Sequence, residues 1–266
     1  MKIQVLEPHG FCAGVKGALE RACKYPEAWC LHEIVHNELV VEKLKSRGMK
    51  FVESIDRIPS GETVIFSAHG VSPLVREEAR KRNLKIVDAT CPFVAKVHKD
   101  AKSFSDQGLE VVVVGNKGHA EVKGIVGEVP RAWVYPDLPP KGRKIGVVSQ
   151  TTMNSDEVAE IVEKLRKDYE VVESAKVCNA TKARQDAVKA FEGDLLLVLG
   201  SANSSNTKRL AEVARCKAIV AGTRKELEKI DVDGVELLGL TAGASTPEEF
   251  LVEALEFLKN KSTGKE

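Results

Sequence analysis

The chain has 266 residues, 43% of them hydrophobic, which is enough for one large domain or two to three small ones. Its 40 basic and 39 acidic residues leave a net charge of +1, so there is no global attraction to nucleic acid or to a membrane surface, and any anionic ligand must be held by local chemistry. No apolar run is long enough to span a bilayer and no signal-like segment is seen, which together predict a soluble, cytoplasmic protein with reduced cysteines.

The first apolar run, Lys2 to Pro8, reads as a strand and leads through GFCAGV into an amphipathic helix, so Cys12 stands at a helix start. Two polar loops follow strands in the next stretch, VHN with His36 and SAHG with His69. LKIVDAT then leads to Cys91, again ahead of a helix, on whose polar face His98 is expected. EVVVVGNKG leads to His119 and Glu121, and KIGVVSQT to Gln150, Thr151 and the helix NSDEVAEIVEKLRKDY. YEVVESAKV ends at Cys178, with a helix after it. The last third runs DLLLVLGS, the loop SANSSN with Ser204, Ser205 and Asn206, a helix through Arg209, and the loop TAGAS with Ser245. The closing helix TPEEFLVEALEFLKN is expected to take Thr246 as N-cap and Pro247 as first residue, with a polar tail from Lys259 to Glu266.

Strands alternating with helices in this way predict an α/β protein of parallel sheets covered on both faces. Cys12, Cys91 and Cys178 lie 79 and then 87 residues apart in matching settings of strand, turn, cysteine and helix. The spacing predicts one unit used three times, over 13–91, 92–178 and 179–266. Each of the first two ends with the strand that carries the next cysteine, whereas the third has none after it. The strand within 1–12 is the spare piece, expected to join the third sheet beneath the closing helix.

A lone cysteine is usually a small buried hydrophobe, but three in one repeated setting point to ligation. A helix N-terminus favours negative charge on sulfur, and three thiolates leave a tetrahedral zinc, or one iron of a 4Fe-4S cluster, with an open position for substrate or water. Cys23, Cys30 and Cys216 lack the setting and form no CxxC pair, so core packing is expected of each. His36, His69, His119, Ser204, Ser205, Asn206 and Ser245 would supply donors to an anion at the strand ends, where ligands of open α/β sheets collect. Apart from Lys117 these loops hold no Lys or Arg, and no Walker motif occurs. Backbone N–H groups of SSN would add a helix N-terminus to the anion site. Glu121 is the one carboxylate beside a candidate ligand, and its enclosure would suit general acid work. His9, His32 and His98 are expected to have ordinary structural roles.

Taken together, GFCAGV, HEIVHN, FSAHGVS, DATCPFVAKVH, GHAEVKG, SQTT, NATKARQDAV, GSANSSN and TAGAS resemble the 4-hydroxy-3-methylbut-2-enyl diphosphate reductases of the methylerythritol phosphate route to isoprenoids. The resemblance spans nearly the whole chain. It implies a pseudo-threefold trefoil of three α/β units around a 4Fe-4S cluster held by Cys12, Cys91 and Cys178, with the fourth iron taking the substrate hydroxyl. It further implies a diphosphate gripped by His36, His69, His119, Ser204, Ser205, Asn206 and Ser245, a proton delivered by Glu121 with Thr151, and electrons from a ferredoxin or flavodoxin. The sequence departs from the family pattern after Cys178, where Asn179 and Lys182 are expected to alter packing. Two other readings remain. A quinolinate-synthase-like enzyme would want arginine-rich substrate loops, and an iron-sulfur redox sensor or electron carrier would leave the histidine and serine loops without a task.

Overall fold

The computed structural model describes residues 1–174 and 176–262. The chain opens with β1 (Lys2–Val5) and α1 (Ala13–Ala22). Next, β2 (Trp29–Leu31), β3 (Lys50–Val52), β4 (Thr63–Phe66) and β5 (Lys85–Asp88) form a parallel sheet in the order β3-β2-β4-β5, with α2 (Glu38–Lys45) and α3 (Pro73–Lys81) in the connections. A second parallel sheet, ordered β7-β6-β8-β9, is made by β6 (Glu110–Val114), β7 (Ala132–Val134), β8 (Lys144–Ser149) and β9 (Glu170–Glu173), joined through α4 (Pro92–Asp106), α5 (Ala120–Val126) and α6 (Ser155–Leu165). The third combines β10 (Leu195–Leu199), β11 (Lys217–Ala221) and β12 (Leu237–Ala242) with β1 in the order β1-β12-β10-β11, and α7 (Asn179–Lys189), α8 (Ser205–Glu212), α9 (Arg224–Glu228) and α10 (Glu248–Ser262) belong to this stretch. The α/β alternation read from the sequence is thus realised as three four-stranded parallel sheets.

The three strand orders are the same pattern. Read from its other edge the third sheet is β11-β10-β12-β1, so β1 stands where β5 and β9 stand in the other two. Each of these three strands leads to a cysteine. The pairing of β1 runs from Lys2 opposite Leu237 to Val5 opposite Leu240. By contact the chain parts into two compact units. One holds Met1–Ala13, His36–Glu42 and the chain from Asn179 on, and the other holds Gly14–Val35 and Lys43–Cys178.

Within the first unit, alternation along β10 sorts its leucines by face. Leu195, Leu197 and Leu199 pack with Phe250, Leu251, Ala254 and Leu258 of α10, whereas Leu196 and Val198 pack with Val188 of α7 and Leu210 of α8. In the second unit Val112, Val114, Ile145 and Val147 meet Val158, Ile161, Val162 and Leu165 of α6, a stripe with helical spacing. The opposite face, through Val111, Val113 and Val148, meets Val97, Ala101 and Phe104 of α4 and Val122 and Ile125 of α5. Full burial of each such side chain contributes about 1.5–3 kcal/mol, which fixes the sheets and with them the loops at the strand ends.

Four expectations from the sequence are corrected. Cys23 is exposed rather than in the core, because it falls one residue beyond the buried stripe Val15, Ala18, Ala22 of α1; the Arg47 guanidinium lies 3.7 Å from its sulfur. Thr246 is not the residue directly ahead of α10, since the helix begins at Glu248; its hydroxyl donates to the Leu199 carbonyl at 3.0 Å. That helix continues to Ser262, past the expected start of the polar tail at Lys259; 263–266 lie outside the described residues. His98 is not on a polar face, because α4 buries Val94, Val97, His98, Ala101 and Phe104 together. Cys30, by contrast, is fully buried in β2, and burial pushes its thiol up to about 12. Among the described residues, no helix is long and apolar enough to cross a membrane.

Candidate active site

Each of Cys12, Cys91 and Cys178 immediately precedes a helix, is partly buried, and is in no disulfide. Their backbone N–H groups share a further feature. The amide of Cys12 donates to Ala244 at 3.3 Å, that of Cys91 to Ala68 at 3.1 Å, and that of Cys178 to Thr151 at 3.0 Å. Ala244 precedes Ser245, Ala68 precedes His69, and Thr151 is itself a candidate. The cysteine beyond the edge strand of each sheet is therefore tied to the loop at the end of the adjacent strand, and that loop carries a polar candidate in all three cases. Asn179 and Lys182, the departures after Cys178, are exposed, and Lys182 pairs with Asp186 at 2.6 Å one turn along, so neither is packed.

In the second unit His69 and His119 stand edge to face, with ring centroids 5.4 Å apart and planes at 88°. His119 is the N-cap of α5, its Nδ1 accepting the Glu121 amide N–H at 3.2 Å, so the neutral ring carries its hydrogen on Nε2. Glu121 follows in the first helical turn and is 1% exposed. Its Oε1 accepts the Thr151 N–H at 2.7 Å and its Oε2 the Thr151 hydroxyl at 3.1 Å. Burial raises the Glu121 carboxyl to about 7, against the opposing pull of the two Thr151 hydrogen bonds. A carboxyl in that range can hold a proton at neutral pH and give it up. Gln150, the buried residue before Thr151, accepts the Asn116 N–H through Oε1 and donates to Thr152, tying the glycine-rich loop 115–118 to the end of β8.

In the first unit Ser204 caps α8, its hydroxyl accepting the Thr207 N–H at 3.3 Å, and Ser205 opens the helix. Asn206 is 4% exposed, and both its amide nitrogen and its amide oxygen are buried without a hydrogen-bond partner among the described residues. Buried amides are nearly always paired, so this one fits a site that a ligand completes. The Ser245 hydroxyl donates to the His36 carbonyl at 3.1 Å, which binds those two loops together. The loop ahead of Cys12 has a brace that the sequence reading missed: buried Arg184 of α7 donates to the carbonyl of Gly10 at 2.7 Å and to that of His9 at 3.4 Å. An arginine amid the polar run NATKARQ gives no local sign of such a bond, because its partners lie more than 170 residues earlier in the chain. An open groove of about 400 Å³ beside Lys117, Lys123 and Trp133 is lined by none of the candidate residues.

Comparison with known proteins decides the family: the model of the LytB protein family matches residues 3–259. The chain belongs to the LytB family. One LytB relative, the 4-hydroxy-3-methylbut-2-enyl diphosphate reductase 2 of Burkholderia mallei, is 44% identical over 93% of this chain and 82% of its own length. The solved E-1-hydroxy-2-methyl-but-2-enyl-4-diphosphate reductase of Plasmodium falciparum superposes with a TM-score of 0.91 at 33% identity, covering 97% of this chain and 88% of that one. A second solved structure, an (E)-4-hydroxy-3-methyl-but-2-enyl diphosphate reductase described as the terminal enzyme of the non-mevalonate pathway, gives a TM-score of 0.68 at 33% identity, covering 98% and 99% of the two chains.

Proposed function

We propose that this LytB chain is a 4-hydroxy-3-methylbut-2-enyl diphosphate reductase, an iron-sulfur oxidoreductase that removes the allylic hydroxyl of (E)-4-hydroxy-3-methylbut-2-enyl diphosphate. Two electrons and two protons convert the substrate to isopentenyl or dimethylallyl diphosphate and water. The observation that carries the reading is the threefold tie between a cysteine amide and a strand-end loop bearing a polar candidate. Three partly buried thiols outside any disulfide fit a cluster with one open position, and Cys12, Cys91 and Cys178 would hold a 4Fe-4S group. When bound, that group supplies electrons and Lewis acidity toward the departing hydroxyl.

The chain's own residues do the rest. His36, His69, His119, Ser204, Ser205, Asn206 and Ser245 bind the diphosphate, Asn206 with amide atoms that have no partner among the described residues. Binding of this remote group fixes the orientation of the reacting carbon. Glu121, protonated near neutral pH by its burial, gives a proton to the hydroxyl as the C–O bond breaks, and Thr151 holds the carboxyl in place through both oxygens. A ferredoxin or flavodoxin delivers the electrons.

The test is turnover. Anaerobically prepared protein loaded with iron and sulfide is incubated with the substrate and a chemical reductant, and the isoprenoid diphosphates are measured. Formation of both five-carbon products is expected. No product from a preparation shown to carry an intact cluster would sink the reading and bring the electron-carrier alternative forward.

A further inference from the structure

His98 lies on α4 two turns beyond Cys91, in the middle of that helix's buried stripe. Its Nδ1 is 2.7 Å from Glu128 Oε1. A carboxylate only accepts, so Nδ1 donates, and Nε2 is left buried with no hydrogen-bond partner among the described residues. An aliphatic residue would fill the stripe without an unpaired nitrogen, so apolar packing alone does not account for a histidine here.

The surroundings of the ring do account for it. Its Nε2–Cε1 edge abuts glycines from two separate segments. A Cβ on Gly70 would come within 3.1 Å of Nε2 and 3.3 Å of Cε1, and a Cβ on Gly124 within 3.0 Å of Cε1 and 3.2 Å of Nε2. The same Gly124 Cβ would lie 3.7 Å from the Gly70 carbonyl carbon, and one turn on, a Cβ on Gly127 would lie 2.3 Å from Cβ of Ser72. Two backbones thus meet along a seam of glycines, with a flat ring as the spacer and Glu128 fixing its tilt. One backbone carries His69, directly before Gly70, which turns with φ +75°; the other is α5, which carries Glu121 one turn before Gly124 and His119 as its cap.

We propose that His98, braced by Glu128, is a positioning residue that sets the register of the His69 loop against the helix bearing His119 and Glu121. The inference rests on the reading above for the meaning of that register, since His69 and His119 act there on the diphosphate. A flat ring pinned at one end holds two glycine backbones at a fixed separation, where a flexible side chain would let the imidazoles drift. Misplacement by about 1 Å costs up to about 10²-fold in an active site.

His98→Asn keeps a donor for Glu128 and vacates the far edge of the ring, whereas Gly124→Ala overfills the same gap. Val162→Ala, in the core between α6 and the opposite face of the second sheet, controls for lost stability. Both seam variants should raise KM for the diphosphate substrate about tenfold with a smaller change in kcat, and the control should lower Tm with KM unmoved. The double variant should recover part of the KM, because the added methyl occupies the space the ring left. KM following Tm across all three single variants, or a double variant no better than the sum of its parts, would overturn the role. If the protein proves to have no reductase activity, the crystal structure of His98→Asn still decides the matter. The His69–His119 separation should depart from 5.4 Å, and an unchanged separation rejects the spacer.

Discussion

Glu121 and Asn206 occupy equivalent places, each in the first turn of a helix that follows a central strand, and both are almost fully buried, yet their hydrogen bonding is opposite. Both oxygens of Glu121 are satisfied by one partner, Thr151, whereas neither amide atom of Asn206 has any among the described residues. An unpaired buried polar group costs about 1–3 kcal/mol, so the folded chain carries a debit at Asn206 that it does not carry at Glu121. The difference separates two kinds of preparation. On the proposed reading the carboxyl is finished before substrate arrives, held in geometry by Thr151, while the amide would be finished by the substrate. Chemistry is assigned to the completed group and recognition to the incomplete one.

The sharpest way to break that division is Glu121→Gln. A glutamine can accept from the Thr151 N–H and donate to its hydroxyl, so the pocket survives while the proton is lost. Turnover should fall about 10²- to 10⁴-fold with KM nearly unmoved, read from steady-state kinetics. Normal turnover would remove Glu121 from the mechanism. Asn206→Leu should act the other way, raising KM about 10- to 100-fold through a lost pair of contacts to a charged group, with Tm of the ligand-free protein unchanged or higher. A lowered Tm with unaltered KM would make Asn206 a core residue instead.

A third effect is on stability against pH. The Glu121 carboxyl goes from 4.5 to about 7 on folding, so below pH 4.5 it is neutral in both states and contributes fully. As pH rises toward 7 the unfolded chain releases the proton first, and the contribution is lost progressively, by about 3 kcal/mol in all. Above 7 the loss is constant. The Tm of Glu121→Gln minus that of the parent should therefore grow between pH 4.5 and 7 and then level off. A difference flat with pH would mean the carboxyl is already ionised at neutrality.

Much of this was legible in the sequence because the repeat is written in local signals. A cysteine after an apolar strand and before an amphipathic helix can be seen three times over, and strand-end loops can be found by counting. The spare cysteine-bearing strand at the N-terminus follows from the same count, and Lys2–Val5 lies in parallel beside Leu237–Ala242. What stayed hidden depends on register or on distant partners. His98 reads as polar until the turn of α4 places it between Val94 and Ala101, and its glycine neighbours come from two other segments. Cys23 misses the core by one residue, and Thr246 looks like a cap until α10 is seen to begin two residues on, at Glu248. That Asn206 is unsatisfied cannot be read from SSN at all, since pairing is a property of the surroundings.

The edge position of β1 has a consequence for biogenesis. Lys2 leaves the ribosome well before its parallel neighbour Leu237, which lies 235 residues further along the chain (237 − 2). At usual elongation rates of about 5–20 residues per second, roughly ten to fifty seconds separate the two. The tie from Cys12 to Ala244 cannot form earlier, so a nascent chain holds the Cys12 thiol unanchored until the residues up to Ala244 have been made. A metal centre drawing on the anchored thiol would have to be installed after β12 has been made, and a chain stopped short of β12 would leave the ribosome with β1 unpaired.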